Sequence, residues 1–179
     1  MKTEPEKPDA EPAASSFVQE AVVRYQAPLV RYATRLLGGD VERARDVVQD
    51  TFMRLMAQPP AEVEGHVAEW LFTVCRNRSH DVTRKEGRMR RFEEGQAERV
   101  VATDPLPGRT LERAEQYATA LRLLGKLSPN QQEVIRLKFQ NGFSYQEISR
   151  ITSLSVTNVG FILHTALKNL RQAMAAQPE

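Results

Sequence analysis

Apolar residues recur at intervals of three and four along most of the chain, and this spacing predicts amphipathic α-helices. The first helical stretch begins at Ser16, because Ser16 and Gln19 have the spacing of a capping box, and it ends at Gly38-Gly39. Pro28 is predicted to divide it into two short helices, since proline lacks a backbone donor and suits the first turn of a new helix. No segment alternates polar and apolar residues over a useful length, so the pattern predicts an all-α protein.

Two further helices are predicted in the N-terminal half. Asp40 caps the first of them, which ends before Pro59-Pro60, and the second runs from about His66 to Arg88. We expect an acidic loop between them. The first 15 residues are rich in Pro, Glu, Lys and Ala and have little to bury, so we expect them to form a disordered tail.

A break in the helical pattern separates the two halves of the chain. Residues 93–110 contain Asp104-Pro105 and Pro107-Gly108 without sustained periodicity, which indicates a linker, and helical spacing resumes at Leu111. We therefore predict two small helical domains joined by a linker. The predicted bounds are 1–15 for the tail, 16–92 for the first domain, 93–110 for the linker, 111–174 for the second domain and 175–179 for a second tail.

The second domain has the residue pattern of a helix-turn-helix. Ser144 and Glu147 form a capping box at the start of a short helix, and a turn at residues 153–155 precedes a final helix over 156–174. Counted from Tyr145, the motif positions that require apolar residues hold Ile148, Leu154, Val159 and Ile162. An ordinary helical hairpin would satisfy the same spacing.

Composition narrows the classes of protein that fit this pattern. One cysteine and three histidines supply neither a disulfide framework nor paired ligand spacing for zinc. No apolar run is long enough to cross a bilayer, and the N-terminus has no apolar signal core, so we expect a cytoplasmic protein with no membrane insertion. The net charge of +2 conceals a block of +5 over residues 70–92. Such a block is usually a solvated helix face, and nucleic acid is the leading functional alternative.

Three segments carry a more specific pattern. They are Asp46–Arg54 (DVVQDTFMR), Trp70–Asp81 (WLFTVCRNRSHD), and the pair Leu127–Ile135 and Gly142–Ile148 (LSPNQQEVI and GFSYQEI). In this order they resemble the core-binding helix, the −10 segment and the −35 domain of bacterial RNA polymerase sigma factors. Two sigma domains without others are the layout of the extracytoplasmic-function group. The resemblance covers roughly residues 16–174 and implies a transcription initiation factor, not an enzyme, that needs no cofactor.

The resemblance implies three sets of contact residues. The set expected on the β′ clamp helices of core polymerase is Asp46, Gln49, Asp50 and Arg54. The set expected on −10 DNA is Arg76, Asn77, Asp81, Arg84 and Lys85. The set expected on −35 DNA is Ser155, Thr157, Asn158, Phe161, His164, Thr165 and Lys168. Phe161 fits a packing residue as well as a contact with a thymine methyl group. The implied partners are core RNA polymerase, through the clamp helices and the β flap, and promoter DNA, while an anti-sigma factor is left open.

The chemistry of these residues agrees with DNA binding. Asn77 offers both a donor and an acceptor to an unstacked base, and the +5 block can hold phosphates. In the second domain the side chains expected on the DNA backbone are Arg136, Lys138, Lys168 and Arg171. Trp70 and Phe72 could stack on bases, but Trp70 lies on the predicted inward stripe, so we expect it in the core.

The final helix departs from the family pattern. Gly160, Ile162 and Thr165 stand where family members commonly have basic residues, which puts the usual −35 contacts in question. A glycine in mid-helix costs about 1 kcal/mol relative to alanine. We therefore expect the backbone at Gly160 to approach DNA or another helix closely.

Three alternatives remain at this stage. A stand-alone helix-turn-helix regulator, expected to be dimeric, would leave residues 46–54 without a role. A sigma mimic that binds an anti-sigma factor and no DNA is favoured by the weakly basic final helix, but the +5 block and Asn77 oppose it. An enzyme fits least, because neither Glu133 nor Glu147 has an identifiable partner for acid–base chemistry.

Overall fold

The computed structural model describes residues 10–90 and 122–175, with side chains for residues 16–85 and 122–174. These residues form two compact units, one in each described range, and both are built from helices with no strand among them. The predicted all-α class with two helical domains is confirmed. The linker 93–110, the start of the second domain at Leu111 and residues 176–179 lie outside the described residues, so the predicted domain bounds stay predictions.

The first unit contains four α-helices and a 3-10 turn. They are α1 (Ala10–Leu36), α2 (Val41–Met56), α3 (Pro60–Val63), the 3-10 turn Glu64–His66, and α4 (Val67–Arg90). Helices α1, α2 and α4 pack against one another. The segment between α2 and α4 is therefore mostly helical, where the sequence had predicted an acidic loop.

Helix α1 differs from the prediction at two places. It begins at Ala10, inside the predicted tail of residues 1–15, because this segment is rich in alanine, the best helix former, and Pro12 falls in the first turn, where no intrahelical bond is lost. Residues 1–9 lie outside the described part. The helix also continues through Pro28. Proline removes one bond to the Arg24 carbonyl, and burial of the next turn offsets that cost, since Leu29 is fully buried.

The junction between α1 and α2 follows the prediction. Gly38 and Gly39 adopt positive φ angles of 69° and 100°, and the Gly39 N–H donates to the Thr34 carbonyl at 2.8 Å. An αL glycine satisfies the last carbonyls of a helix in this way. Asp40 then caps α2, because its carboxylate accepts from the Arg43 backbone N–H at 3.0 Å.

The core of the first unit lies where α4 meets α1 and α2. The rings of Phe72 and Tyr32 pack with centroids 5.1 Å apart, and Leu71 and Cys75 are fully buried beside them. Trp70 is half-buried, so the prediction that placed it in the core is wrong. The aromatic residue that α4 contributes to the core is instead Phe72.

The second unit contains helical residues 122–125 followed by three helices. These are α5 (Pro129–Phe139), α6 (Tyr145–Thr152) and α7 (Val156–Ala175). Ser128 and Ser144 cap α5 and α6 in capping boxes with Gln131 and Glu147, respectively. The capping box predicted from Ser144 and Glu147 is confirmed.

Helices α6 and α7 form the predicted helix-turn-helix. Ile148 and Val159 are fully buried between them, and the Ser149 hydroxyl, at the crossing, donates to the Leu154 carbonyl in the turn. Ser153 ends α6 in the left-handed conformation with φ 60°. A serine therefore makes the turn that is more often made by glycine.

Candidate polymerase and DNA interfaces

Helix α2 presents a largely polar face to solvent because most of its apolar residues are buried against the rest of the unit. Val48, Phe52 and Leu55 are buried, which leaves Asp46 and Gln49 exposed on the other side. The remaining two predicted polymerase contacts are Asp50, half-buried, and Arg54, exposed. The structure thus brings all four predicted residues together along one side of α2.

Asp50 makes ion pairs within the first unit. Its Oδ2 lies 3.2 Å from Nε of Arg54 and 2.9 Å from Nε of Arg78. Arg78 is on α4, so this carboxylate joins two helices. Sequence reasoning did not single out Arg78, because its place in the +5 block gave no indication of which side of α4 it occupies.

Two methionines add an apolar component to the same side of α2. Met53 and Met56 are 62% and 69% exposed. Met53 follows Gln49 by four residues, so the two side chains are neighbours on the helix surface. The sequence could have indicated them, because both methionines are apolar residues at positions where the helical spacing predicts polar ones.

Helix α4 carries the predicted −10 contacts on its solvent side. Asn77, Asp81 and Arg84 are exposed at spacings of four and three, so they share one face. Lys85 is exposed beside them, whereas Arg76 is half-buried and lies toward the other flank of the helix. The opposite side of α4 anchors this face, since Cys75 and Ser79 are fully buried.

The charges on this face are partly neutralised. The Arg84 guanidinium donates to the Asp81 carboxylate at 2.7 Å, and both side chains are exposed. An exposed pair of this kind contributes little to stability and can be exchanged for another partner. Arg84 can therefore turn to a phosphate without a large cost.

The lone cysteine is a core residue without a role in chemistry. Burial raises the pKa of the Cys75 thiol to about 12, and hydrogen bonds with Ser79 and Thr51 lower it only in part. The thiol is therefore neutral at physiological pH, and the nucleophilic thiolate is not formed.

Helix α7 presents a continuous stripe to solvent. Thr157, Phe161, His164 and Lys168 are all exposed, and their spacings of four, three and four place them on one line. The remaining predicted −35 residues flank this stripe or precede it. Asn158 is exposed, Thr165 is half-buried, and Ser155 is exposed with its hydroxyl accepting from the Asn158 backbone N–H at 3.2 Å.

Of the four basic residues expected on the DNA backbone, Lys168 and Arg171 are exposed as required. Arg136 is only 7% exposed and donates to the Gln132 side chain at 3.4 Å, so the expectation is wrong for this residue. Lys138 is half-buried and donates to the Phe143 carbonyl at 3.2 Å, with its ammonium 5.5 Å from the centre of the Tyr145 ring.

Gly160 does not make the close helix contact expected from the sequence. A Cβ atom at this position would lie 3.7 Å from Cε2 of Tyr145, which is an ordinary van der Waals distance. The contact between α7 and α6 at this point therefore does not require glycine.

The capping box of α6 contains an ionisable side chain, Glu147. Hydrogen bonds from the Ser144 hydroxyl and then its backbone N–H lower the pKa of Glu147, and Arg150 and Lys138 lower it further. Glu147 is thus ionised and engaged in holding the start of α6, which leaves it unsuited to acid–base catalysis.

No helix in residues 10–90 or 122–175 is both long and apolar enough to span a membrane. In the same ranges no group of three or more His, Cys, Asp or Glu side chains is arranged to hold a metal ion.

Comparisons with known proteins match both units. The family model for sigma-70 region 2 matches residues 21–89, and the model for sigma-70 region 4 matches residues 118–170. The chain is 32% identical over 169 residues to the ECF RNA polymerase sigma factor SigL of Mycobacterium tuberculosis, with 89% of each chain covered. It is 31% identical over 134 residues to the ECF RNA polymerase sigma factor EcfG of Rhodopseudomonas palustris, covering 74% of this chain and 71% of the relative.

Solved structures show the same similarity. The sigma factor RpoE of Bartonella quintana, in complex with the anti-sigma factor NepR, aligns with a TM-score of 0.74 and 27% identity over 92% of this chain and 99% of RpoE. CnrH, in complex with the cytosolic domain of CnrY, aligns with a TM-score of 0.59 and 26% identity over 93% of this chain and 95% of CnrH.

Proposed function

Because the chain belongs to the extracytoplasmic-function group of RNA polymerase sigma factors, non-enzymatic proteins that direct core polymerase to promoters, we propose that its three exposed helix faces divide this work. The α2 face binds the β′ clamp helices, the α4 face binds −10 DNA, and the α7 face binds the −35 duplex. The second unit makes a further contact with the β flap of polymerase.

The observation that carries this proposal is the arrangement of α2 and α4 in one packed unit. Asp46 and Gln49 are exposed on α2, Asn77 and Arg84 are exposed on α4, and the two helices pack directly on each other. A polymerase bound to α2 therefore holds the Asn77 face of α4 at a defined position. Placing one base-binding face accurately on the polymerase is what start-site selection requires.

The physical role of each DNA face follows from its side chains. On α4, Asn77 can donate to and accept from the edge of an unstacked base, and Arg84 and Lys85 supply phosphate contacts. On α7, the exposed stripe lies on the second helix of a helix-turn-helix, the element that enters the major groove. Lys168 lies at the far end of that stripe, where a phosphate contact would orient the helix.

We place this activity in the cytoplasm, where core polymerase and the chromosome are. An anti-sigma factor is a proposed further partner, supported by RpoE, which is solved with the anti-sigma factor NepR. The test is to purify the tagged chain from its own host. A stoichiometric partner that lowers the affinity of the chain for core polymerase would support the proposal. Equal affinity for core polymerase of the chain purified from its host and of the chain purified alone would oppose it.

The principal experiment is run-off transcription with purified core polymerase on a genomic fragment library. We expect defined start sites that appear only when the full chain is added. The double variant Asn77→Ala/Arg84→Ala should abolish them while leaving core binding unchanged. A matched control, Gln26→Ala/Arg31→Ala, removes an exposed amide and an exposed arginine from α1 and should leave the start sites in place.

The outcomes separate the remaining alternatives. Absence of both core binding and new start sites would contradict the proposal and favour a stand-alone regulator or a sigma mimic. Start sites that persist at full strength in Asn77→Ala/Arg84→Ala would remove the α4 face from the mechanism.

A further inference from the structure

An aromatic ring stands at the centre of the α7 stripe, and none of the described residues of its unit covers it. Phe161 is 68% exposed, although it lies in the middle of a well-packed helix. The opposite side of α7 holds Val159, Leu163 and Ala166, all buried. Phe161 therefore does not serve the core of this unit and is available to a partner.

The side chains around Phe161 limit what that partner can be. On the stripe it lies between Thr157 and His164, and the side-chain amide of Asn158 is exposed three residues before it. Within α7 as described, Val156–Ala175, the first lysine or arginine is Lys168. The arginine or lysine that most often binds guanine in the major groove is thus missing from the first three turns.

The side chains of Asn158 and Phe161 are suited to contacts with A·T base pairs. Asparagine can pair with N6 and N7 of adenine, and an apolar side chain can pack on the 5-methyl group of thymine, which no other DNA base carries in the major groove. Resting on the proposed −35 role of α7, we propose that Phe161 is a specificity-determining residue that packs on a thymine methyl, next to an adenine bound by Asn158.

The spacing along the helix supports contact with neighbouring base pairs. Residues three apart on a helix have Cβ atoms roughly 5–6 Å apart. Successive base pairs rise by about 3.4 Å, so two long side chains at this separation reach adjacent or next-but-one pairs. The backbone N–H of Asn158 already donates to Ser155, which holds the first turn of α7 and orients this part of the helix.

The test uses the holoenzyme, formed from core polymerase and the full chain, on promoters found by the run-off experiment. Each thymine of the −35 element is replaced in turn by deoxyuridine, which removes only the methyl group. We expect one position at which the wild type loses binding roughly threefold to fivefold, the effect of one apolar group of this size. In Phe161→Ala that position should lose its sensitivity, because the ring that contacts the methyl is gone.

A second substitution in the DNA tests Asn158 separately. Replacing adenine by 7-deazaadenine removes the N7 acceptor. At one position next to the sensitive thymine, this replacement should weaken DNA binding by the wild-type holoenzyme but not by the Asn158→Ala holoenzyme. Phe139→Ala is the matched control, since Phe139 is 61% exposed in the same unit but lies on α5. This variant should keep the full response to deoxyuridine.

The results distinguish the assignment of Phe161 from the proposed function of the whole chain. If no position responds to deoxyuridine, or if Phe161→Ala keeps the same response as the wild type, the assignment of Phe161 is overturned while sigma activity stands. Failure of the wild-type chain to produce any new start sites would instead contradict the proposed function itself. Thermal unfolding of Phe161→Ala should match the wild type, because an exposed ring contributes little to folding.

Discussion

Oδ2 of Asp50 lies 2.9 Å from Nε of Arg78, and this ion pair joins α2 to α4 across the surface of the first unit. Arg54 approaches the same oxygen at 3.2 Å, so one carboxylate serves two guanidinium groups. The side chain that the family resemblance assigns to polymerase binding therefore also has a structural role within the chain. Its neighbours Asp46 and Gln49 are more exposed to a partner.

Charge exchange separates these two roles of Asp50. Asp50→Arg alone should destabilise the first unit by about 0.5–1 kcal/mol, since both groups of the pair are partly exposed. Adding Arg78→Asp restores an opposite-charge pair and should recover most of that loss in urea unfolding. If core affinity recovers as well, Asp50 acts through Arg78; core binding that stays as weak as in the single variant would show direct contact with polymerase.

Gly160→Ala is expected to stabilise the protein without affecting transcription. Alanine is favoured in a helix interior by about 0.8–1 kcal/mol, and the new Cβ would meet Tyr145 at an ordinary distance of 3.7 Å. Urea unfolding measures the gain. Gly142→Ala is the contrasting variant, because Gly142 has a φ of 76° and alanine there should cost about 1–2 kcal/mol. Loss of promoter activity in Gly160→Ala would restore the idea of a close approach to DNA.

Cys75 should resist thiol reagents in the folded protein. Its pKa of about 12 lies above the ordinary value of 9.0, so the thiol stays protonated at neutral pH and is also shielded from reagent. Because the folded state holds this proton more tightly than the unfolded state, stability is unaffected by the thiol below pH 9 and falls as the pH rises from 9 toward 12. We expect slow labelling in buffer and fast labelling in denaturant. Val23→Cys, at a position 88% exposed, supplies a thiol that should react at once.

The capping box of α6 should make the second unit sensitive to acid. Because the pKa of Glu147 is lowered from 4.5, its contribution to stability is present above that pH and is lost as the pH falls through the lowered value. Ser144→Ala should cost about 1 kcal/mol at pH 7 and less in acid below the lowered pKa of Glu147, where the wild type has lost part of the same interaction. Urea unfolding at the two pH values gives the comparison. An equal cost at both would show that Glu147 ionisation is not linked to the cap.

Much of the local structure could be predicted because its causes are local. Asp40, Ser128 and Ser144 cap their helices as the sequence indicates, since each cap depends on a backbone N–H only three residues away. The turn at Ser153 and the apolar pattern of the helix-turn-helix follow for the same reason. The exposed positions of Asn77 and Asn158 could also be predicted, because helical spacing assigns them to the polar side. The exposure of Phe161 could not, because an aromatic residue at that position fits packing as well as contact with DNA.

Other features depended on packing between helices that lie far apart in the chain. Helix α1 continues through Pro28 because burial of Leu29 against its neighbours outweighs the loss of one hydrogen bond. The spacing of apolar residues does not show which of these two free energies is larger. Burial of Arg136 and the pairing of Asp50 with Arg78 likewise arise only when particular faces meet. The sequence by itself determined most of the helices, their N-terminal caps and the family. Tertiary structure decided which polar side chains remain available to partners, because that depends on the surfaces that folding brings into contact.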